Sequence, residues 1–425
     1  MKTALVLAGG GTKGAYQNGI ITALREIGRD DWNIVTGTSV GALNAALVVQ
    51  KDFDALQRLY DSLSADMFIN GFVPNDMSIA NIVKERKEFF PSLKSYLKEG
   101  GIDVTPFYNT VDEFYDPEKF FASPVDFGCI TALAKDHTGV YVTKEMMKEN
   151  GRDWLIASAS AYPAFPVKVI NGEEYVDGGY FDNLPIDYAL RKGADDVTAI
   201  DLSMEPIHPQ YIGRDHIHYI FPHEEMYNFL DFDQEKLQHA QVIGHHDAFK
   251  AFHIYEGWKY TFKPSELPAF FDSWYLSVMM LEEKIRIAGA KKNVSSQYIT
   301  DSLKEQMKRP FLRTKDYYYG MMDALMTMCG FDTEEVYARK EAEDRILAYF
   351  ADAAQEEFDY APSLSIKSLT SYLKKLKEED IVKALIHHNL YPEHEIFSEN
   401  LILTVYPFEQ SLADFVTCAM KALVQ

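Results

Sequence analysis

Three short stretches hold residues whose types and spacing could do chemistry. Ala4–Gly14 reads ALVLAGGGTKG, an apolar run that enters a glycine cluster. Gly9, Gly11 and Gly14 fit G-x-G-x-x-G, a spacing that lets backbone N–H groups approach an anion closely. Gly37–Gly41 reads GTSVG, between an apolar run and an Ala- and Leu-rich one. G-x-S-x-G between a strand and a helix is the setting of a nucleophile elbow. The turn is so tight that the positions two before and two after the serine must be almost free of side chain. Gly37 and Gly41 meet that need. Ser39 then stands at a helix N-terminus, where free N–H groups and the helix dipole favour developing negative charge. The same serine could equally be a plain N-cap. The third stretch is EEYVDGGYFDNLP, Glu173–Pro185. It sets Asp177 after a strand and before Gly178 and Gly179, and by itself it reads better as an ordinary Asp-Gly hairpin turn.

The elements around these stretches alternate. Lys2–Ala8 reads as a buried strand, Ala15–Ile27 as a helix with Ile20, Leu24 and Ile27 on one face, Asn33–Thr36 as a second strand and Ser39–Gln50 as a second helix. Strand, helix, strand, helix predicts a mostly parallel sheet covered by helices. Further strands are expected at VDFGCITAL, GVYVT, VKVI, EEYV and VTAIDLS, and a helix at Gln234–His253. Near Gly257 the texture changes. EGWKYTFKPSELPAFF, with two prolines and many aromatics, reads as a linker or docking segment, and the chain beyond it as mainly helical.

Composition narrows the function classes. The chain has 425 residues, is 47% hydrophobic and carries a net charge of -22. A chain this long can bury a core without disulfides or a metal. The charge argues against nucleic acid, whose phosphates call for a basic surface, and against constitutive docking on anionic membranes. The three cysteines, Cys129, Cys329 and Cys418, are scattered and odd in number. That is the pattern of reduced thiols in a cytoplasmic protein. No uninterrupted apolar run approaches the roughly 20 residues of a membrane span. The short apolar start fits a first strand better than a signal peptide.

A dinucleotide fold would place an acidic residue at the end of its second strand. Asp30 and Asp31 instead precede that strand, which runs directly into GTSVG. Taken together, GGGTKGAY, GTSVGALNAAL and ASASAYPAFPVKVINGEEYVDGGYFDNLP (Ala157–Pro185) resemble the patatin-like phospholipase family. IGHHDAFKAF, Ile243–Phe252, is similar to the end of the domain in its bacterial members. The resemblance spans roughly residues 1–255, and residues 256–425 resemble nothing assigned.

The resemblance implies an α/β fold, a three-layer α/β/α sandwich with a mainly parallel sheet; the chain's own pattern adds a mainly helical C-terminal domain, residues 256–425, of unassigned role. It implies a Ser–Asp dyad without histidine, with Ser39 as nucleophile and Asp177 as general base. Gly9, Gly10 and Gly11 match the family's oxyanion loop, with Lys13, Gly14, Gly37, Gly41, Gly178 and Gly179 supporting loop and elbow. Lys13 stands where many members carry arginine, which keeps the charge but loses the planar fork. The implied reaction is hydrolysis of a lipid ester through an acyl-enzyme. The implied substrate is a (phospho)lipid, met in the cytoplasm or in transient contact with a membrane surface. No cofactor, metal or nucleic acid is implied, and the C-terminal region is a candidate for homo-oligomer contacts.

Other features weigh less. His208, His216, His218 and His223 cluster, as do His387, His388 and His394, but neither group has a zinc-site spacing. A histidine from either group could still complete a triad, although chain order speaks against it, since an α/β-hydrolase places its serine elbow after several strands; His245 and His246, in the domain-closing helix, read as structural. Ser78–Lys98, with Ile79, Ile82, Phe89 and Phe90, is amphipathic and reads as a packed helix or a lid. Asn183 and Pro185 are expected to shape the loop after D-G-G. Two rival functions stay open on sequence alone: a nicotinamide-dependent oxidoreductase, and a non-catalytic interaction protein working through its C-terminal helices.

Overall fold

A computed structural model describes residues 1–70, 103–289, 297–355, 377–394 and 397–424. The amphipathic segment 78–98 lies outside these residues. The chain divides into two compact units, Met1–His253 and Ile254–Gln425.

The first unit is built on an eight-stranded mixed sheet, mostly parallel, in the order β5-β6-β3-β2-β1-β7-β8 with β4 on β3. Its elements run β1 (Thr3–Leu7), α1 (Gly14–Glu26), β2 (Ile34–Thr38), α2 (Val40–Gln50), α3 (Phe53–Ser62), α4 (Thr105–Phe114) and α5 (Pro117–Ala122). They continue with β3 (Asp126–Leu133), β4 (Gly139–Thr143), α6 (Gly151–Ser158), β5 (Lys168–Ile170), β6 (Glu173–Asp177), α7 (Ile186–Arg191), β7 (Asp196–Ile200), β8 (Ile217–Ile220) and α8 (Gln234–Ala251). β1 is buried from Ala4 to Leu7 and lies between the parallel strands β2 and β7. A strand covered on both faces reads as a continuous apolar run rather than an alternating one. Helices α1 and α8 pack together, α2 lies on β2 and β3, and α7 lies on β1, β2 and β7, which makes the α/β/α layering.

One register detail positions the site. On one edge of β3, β4 pairs antiparallel with Gly128–Ala132. The other edge takes β2 in parallel up to Thr38↔Ile130, and then β6 antiparallel from Thr131↔Asp177. The ends of β2 and β6 therefore meet at consecutive residues of β3. Ser39 and Asp177 are brought together there from distant parts of the chain.

The second unit contains β9 (Glu256–Gly257), β10 (Thr261–Phe262) and β11 (Val336–Tyr337), paired as a small sheet. Its helices are α9 (Phe271–Gly289), α10 (Tyr298–Gln306), α11 (Thr314–Met328), α12 (Arg339–Tyr349), α13 (Glu378–Leu390), α14 (Glu399–Val405) and α15 (Pro407–Val424). The segment after Gly257 is neither linker nor docking strip. Trp258, Tyr260, Phe262, Phe270 and Phe271 are buried, and the last four belong to this unit's own core. The prolines mark bends between elements, and the aromatics supply large apolar area to a core the sequence alone gave no reason to expect there.

Candidate active site

Ser39 joins β2 to α2 with φ 56° and ψ -127°. A non-glycine residue held in so sparsely populated a region costs about 1–3 kcal/mol. Close backbone packing fixes the turn. A Cβ on Gly37 would collide with the backbone of Gly41, and one on Gly41 with the carbonyl oxygens of Leu7 and Ala8. The Ser39 side chain does not cap α2. Its hydroxyl lies close enough to the Asp177 carboxylate to lower that acid's pKa, while its N–H donates to Ser158 Oγ at 3.0 Å.

Asp177 ends β6 and does not form a hairpin: a single 3-10 turn, Gly178–Tyr180, follows it, and then α7. It is 6% exposed. Its Oδ1 accepts from the Gly179 amide at 2.7 Å. Burial pushes its carboxyl up to about 6, against the opposing effect of the hydrogen bonds from Ser39 and Gly179. No histidine hydrogen-bonds Ser39 or Asp177 among the described residues. His208, His218 and His223 face Asp182, Asp196 and Asp247, and His245 faces Glu26.

The glycine loop lies against this pair. A Cβ on Gly9 would come 2.9 Å from Ser39 Cβ. The loop's amides are not equivalent, however. Gly9 N–H donates to the Asn183 carbonyl at 3.1 Å, so Gly9 supplies close approach and not a free donor. The N–H groups of Gly10 and Gly11 have no protein partner among the described residues. Asn183 clamps Gly9 twice, since its Nδ2 also donates to the Gly9 carbonyl at 3.0 Å. Next along, Thr12 N–H donates to the Phe229 carbonyl at 2.8 Å, and Tyr227 Oη donates to the Thr12 carbonyl at 3.0 Å. Gly11, at φ 60°, packs so tightly on the Phe229 carbonyl that no Cβ fits. Lys13 is half-buried; desolvation lowers its pKa, and Glu225 partly offsets this. Gly14 packs on the Tyr60 hydroxyl, and Gly178 on the Ile130 carbonyl oxygen.

Ser39 and Gly11 open on one pocket with about 910 Å³ of empty space, its mouth included. Val40, Leu43, Ala46 and Leu47 of α2 form one wall, faced by side chains such as Leu59, Phe107, Val111 and Phe165. Among the described residues, the pocket's only polar side chains are the hydroxyls of Thr12, Ser39, Thr110, Tyr60 and Tyr115, and none is charged. Ser39, Val40 and Leu43 are half-buried, whereas Ala46 and Leu47 are buried, so the pocket deepens away from the serine. Among the described residues no group of three or more His, Cys, Asp or Glu side chains is arranged to hold a metal.

Sequence reasoning missed Ser158, Tyr227 and Phe229, which touch the site through hydrogen bonds or backbone and carry no motif of their own. It placed Asn183 as a loop-shaping residue without its partner.

Ser39 thus stands on a strained strand-to-helix turn beside the buried Asp177, on a mostly parallel α/β sheet. Residues 5–190 match the model of the patatin-like phospholipase family. It is 25% identical over 203 residues to the lysophospholipase NTE1 of Meyerozyma guilliermondii, a match covering 47% of this chain and 12% of that one. It is 27% identical over 203 residues to the patatin-like phospholipase domain-containing protein 7 of Mus musculus, covering 47% and 13%. The match thus spans only about an eighth of these relatives' length. The crystal structure of VipD from Legionella pneumophila aligns over 97% of this chain and 91% of that one, at 13% identity and a TM-score of 0.32.

Proposed function

We propose that this chain is a serine acyl hydrolase that cleaves carboxylic esters of lipids, with Ser39 as nucleophile and Asp177 as general base. One observation carries the reading: Ser39, on its strained strand-to-helix turn, lies beside the buried Asp177 carboxylate at the mouth of a deep pocket whose described lining carries no charged group. Asp177 takes the hydroxyl proton as Ser39 Oγ attacks the ester carbonyl. Burial, by raising its pKa to about 6, makes it a better base near neutral pH than an ordinary carboxylate. The tetrahedral oxyanion is met by the amides of Gly10 and Gly11. The proton passes to the departing alcohol, and water then releases the acid from Ser39 by the reverse steps.

The acyl chain is the part of the substrate the pocket suits. From Val40 to Leu47 the α2 wall extends about 10 Å, at a rise of 1.5 Å per residue, with only apolar side chains on offer. The names of the matched relatives support a lysophospholipid or phospholipid as the ester. No helix among the described residues is long and apolar enough to cross a membrane. Exposed Tyr162, Tyr180 and Phe181 flank the Asp177 turn, which supports contact with a lipid surface during turnover.

The test is intact-mass detection of a fluorophosphonate adduct, mapped to its peptide. One adduct on Ser39, absent from Ser39→Ala, is expected. No adduct on active-condition protein, or one on a different residue, overturns the reading.

A further inference from the structure

Both members of the pair hang by their backbones from one short turn. At the end of α6, Ser158 is fully buried. Its Oγ accepts the Ser39 N–H at 3.0 Å and donates to the Ile130 carbonyl at 2.6 Å. Two residues on, the Ser160 carbonyl accepts the Asp177 N–H at 2.9 Å. The Ser160 hydroxyl plays no part in that link; it turns back to its own helix, donating to the Ile156 carbonyl at 2.8 Å. Ile130 is the β3 residue paired with Thr38, and its successor Thr131 is paired with Asp177. The turn therefore ties the strained backbone of Ser39 and the backbone of Asp177 to the same point of β3.

A hydroxyl is well suited to this position. It must accept from an amide and donate to a carbonyl at once, and among small side chains only Ser and Thr do both. An alanine would leave the Ser39 amide buried beside Ser158 without its acceptor, and the Ile130 carbonyl without that donor, with a penalty that falls on the residue already in an unfavourable conformation.

We infer that Ser158 is a positioning residue for the reaction: its hydroxyl fixes the nucleophile's amide and so sets the reach from Ser39 Oγ to Asp177. The inference rests on the proposed roles of Ser39 and Asp177. It concerns a residue that touches neither substrate nor reacting atoms.

The experiment compares wild type with Ser158→Ala, Ser158→Thr and Ser160→Ala, using a soluble p-nitrophenyl ester and a fluorophosphonate. In Ser158→Ala, kcat and the rate of Ser39 labelling are expected to fall together by about 10- to 100-fold, with KM within twofold. The acid limb of its pH profile should move to higher pH, because the Ser39 hydroxyl that holds the Asp177 pKa down is displaced. Ser158→Thr, which keeps the hydroxyl, should recover most of the rate. Ser160→Ala should leave both the rate and the limb in place, even if its melting temperature drops. If Ser158→Ala does not fold, Ser158→Cys, of similar size but a weak hydrogen-bonding partner, is measured against the same expectations. Wild-type rates and an unmoved acid limb in the alanine or cysteine variant overturn the positioning role. If wild-type Ser39 is never labelled, the assignment of the nucleophile itself fails, whatever the Ser158 variants do.

Discussion

Asn183 holds Gly9 by both of its amide groups' chemistry: its backbone carbonyl accepts the Gly9 N–H at 3.1 Å, and its side-chain Nδ2 donates to the Gly9 carbonyl at 3.0 Å. The block that carries the acid thus also grips the glycine loop, so the proposed base and the proposed oxyanion donors move as one piece.

Replacing Asn183 with Ala keeps the backbone half of this clamp and removes the side-chain half. Stability should fall by about 1 kcal/mol, the usual net worth of one hydrogen bond. The loss in kcat should be larger, about tenfold or more, because the loop's donors act only when fixed in place. Chemical denaturation and steady-state kinetics on the same preparation check both numbers. Equal losses in the two, or none in kcat, would detach the clamp from catalysis.

Ser39→Ala and Asp177→Asn should each reduce ester hydrolysis by about a thousandfold or more, since neither partner works without the other. Circular dichroism should show the fold intact. An Asp177→Asn variant with most of its activity would remove the base from the scheme.

The acid limb of kcat/KM is expected near pH 6, where burial has moved the Asp177 carboxyl, with activity rising as the group ionises. The same shift has a stability consequence of opposite sense. A carboxyl whose folded pKa is raised from 3.8 to about 6 binds its proton more tightly when folded. Its contribution is full below about pH 4 and is lost as pH rises through about 6. At pH 7.5 the ionised Asp177 should cost up to about 3 kcal/mol. Asp177→Asn should therefore raise the melting temperature at pH 7.5 and lose that advantage near pH 4. A variant no more stable than wild type at pH 7.5 would contradict the shift.

The α2 wall should act as a ruler for the acyl chain. Leu47→Trp, at the buried end, should leave short-chain esters within about twofold and penalise long ones. Leu43→Trp, nearer Ser39, should impose the penalty at a shorter length. Each methylene denied burial should cost about 0.8 kcal/mol, or about fourfold in kcat/KM. A series of p-nitrophenyl esters of increasing chain length measures this; a uniform loss at all lengths would show that the chain does not lie along α2.

The candidate site was legible in the sequence as local pattern. The elbow was legible because a turn that tight excludes side chains at Gly37 and Gly41, and two glycines at that spacing around a serine are a covalent fact of the chain. The strand and helix order of the first unit was legible too, through an apolar run at β1 and helical spacing in α1. Tertiary structure decided what pairing and packing alone can decide. The register of β2 and β6 along β3 joins Ser39 to Asp177 and excludes the N-cap and hairpin readings of the two. The fold gives the Gly9 amide to Asn183 and leaves those of Gly10 and Gly11 without a partner among the described residues, and it turns the aromatic stretch after Gly257 from a supposed linker into a core. Ser158 lay inside the quoted ASASAYP stretch, but nothing local gave it a role. Its role depends on an amide and a carbonyl that come close only when three strands and a helix end have been assembled, and hydrogen bonds between residues far apart in sequence leave no period or spacing to read.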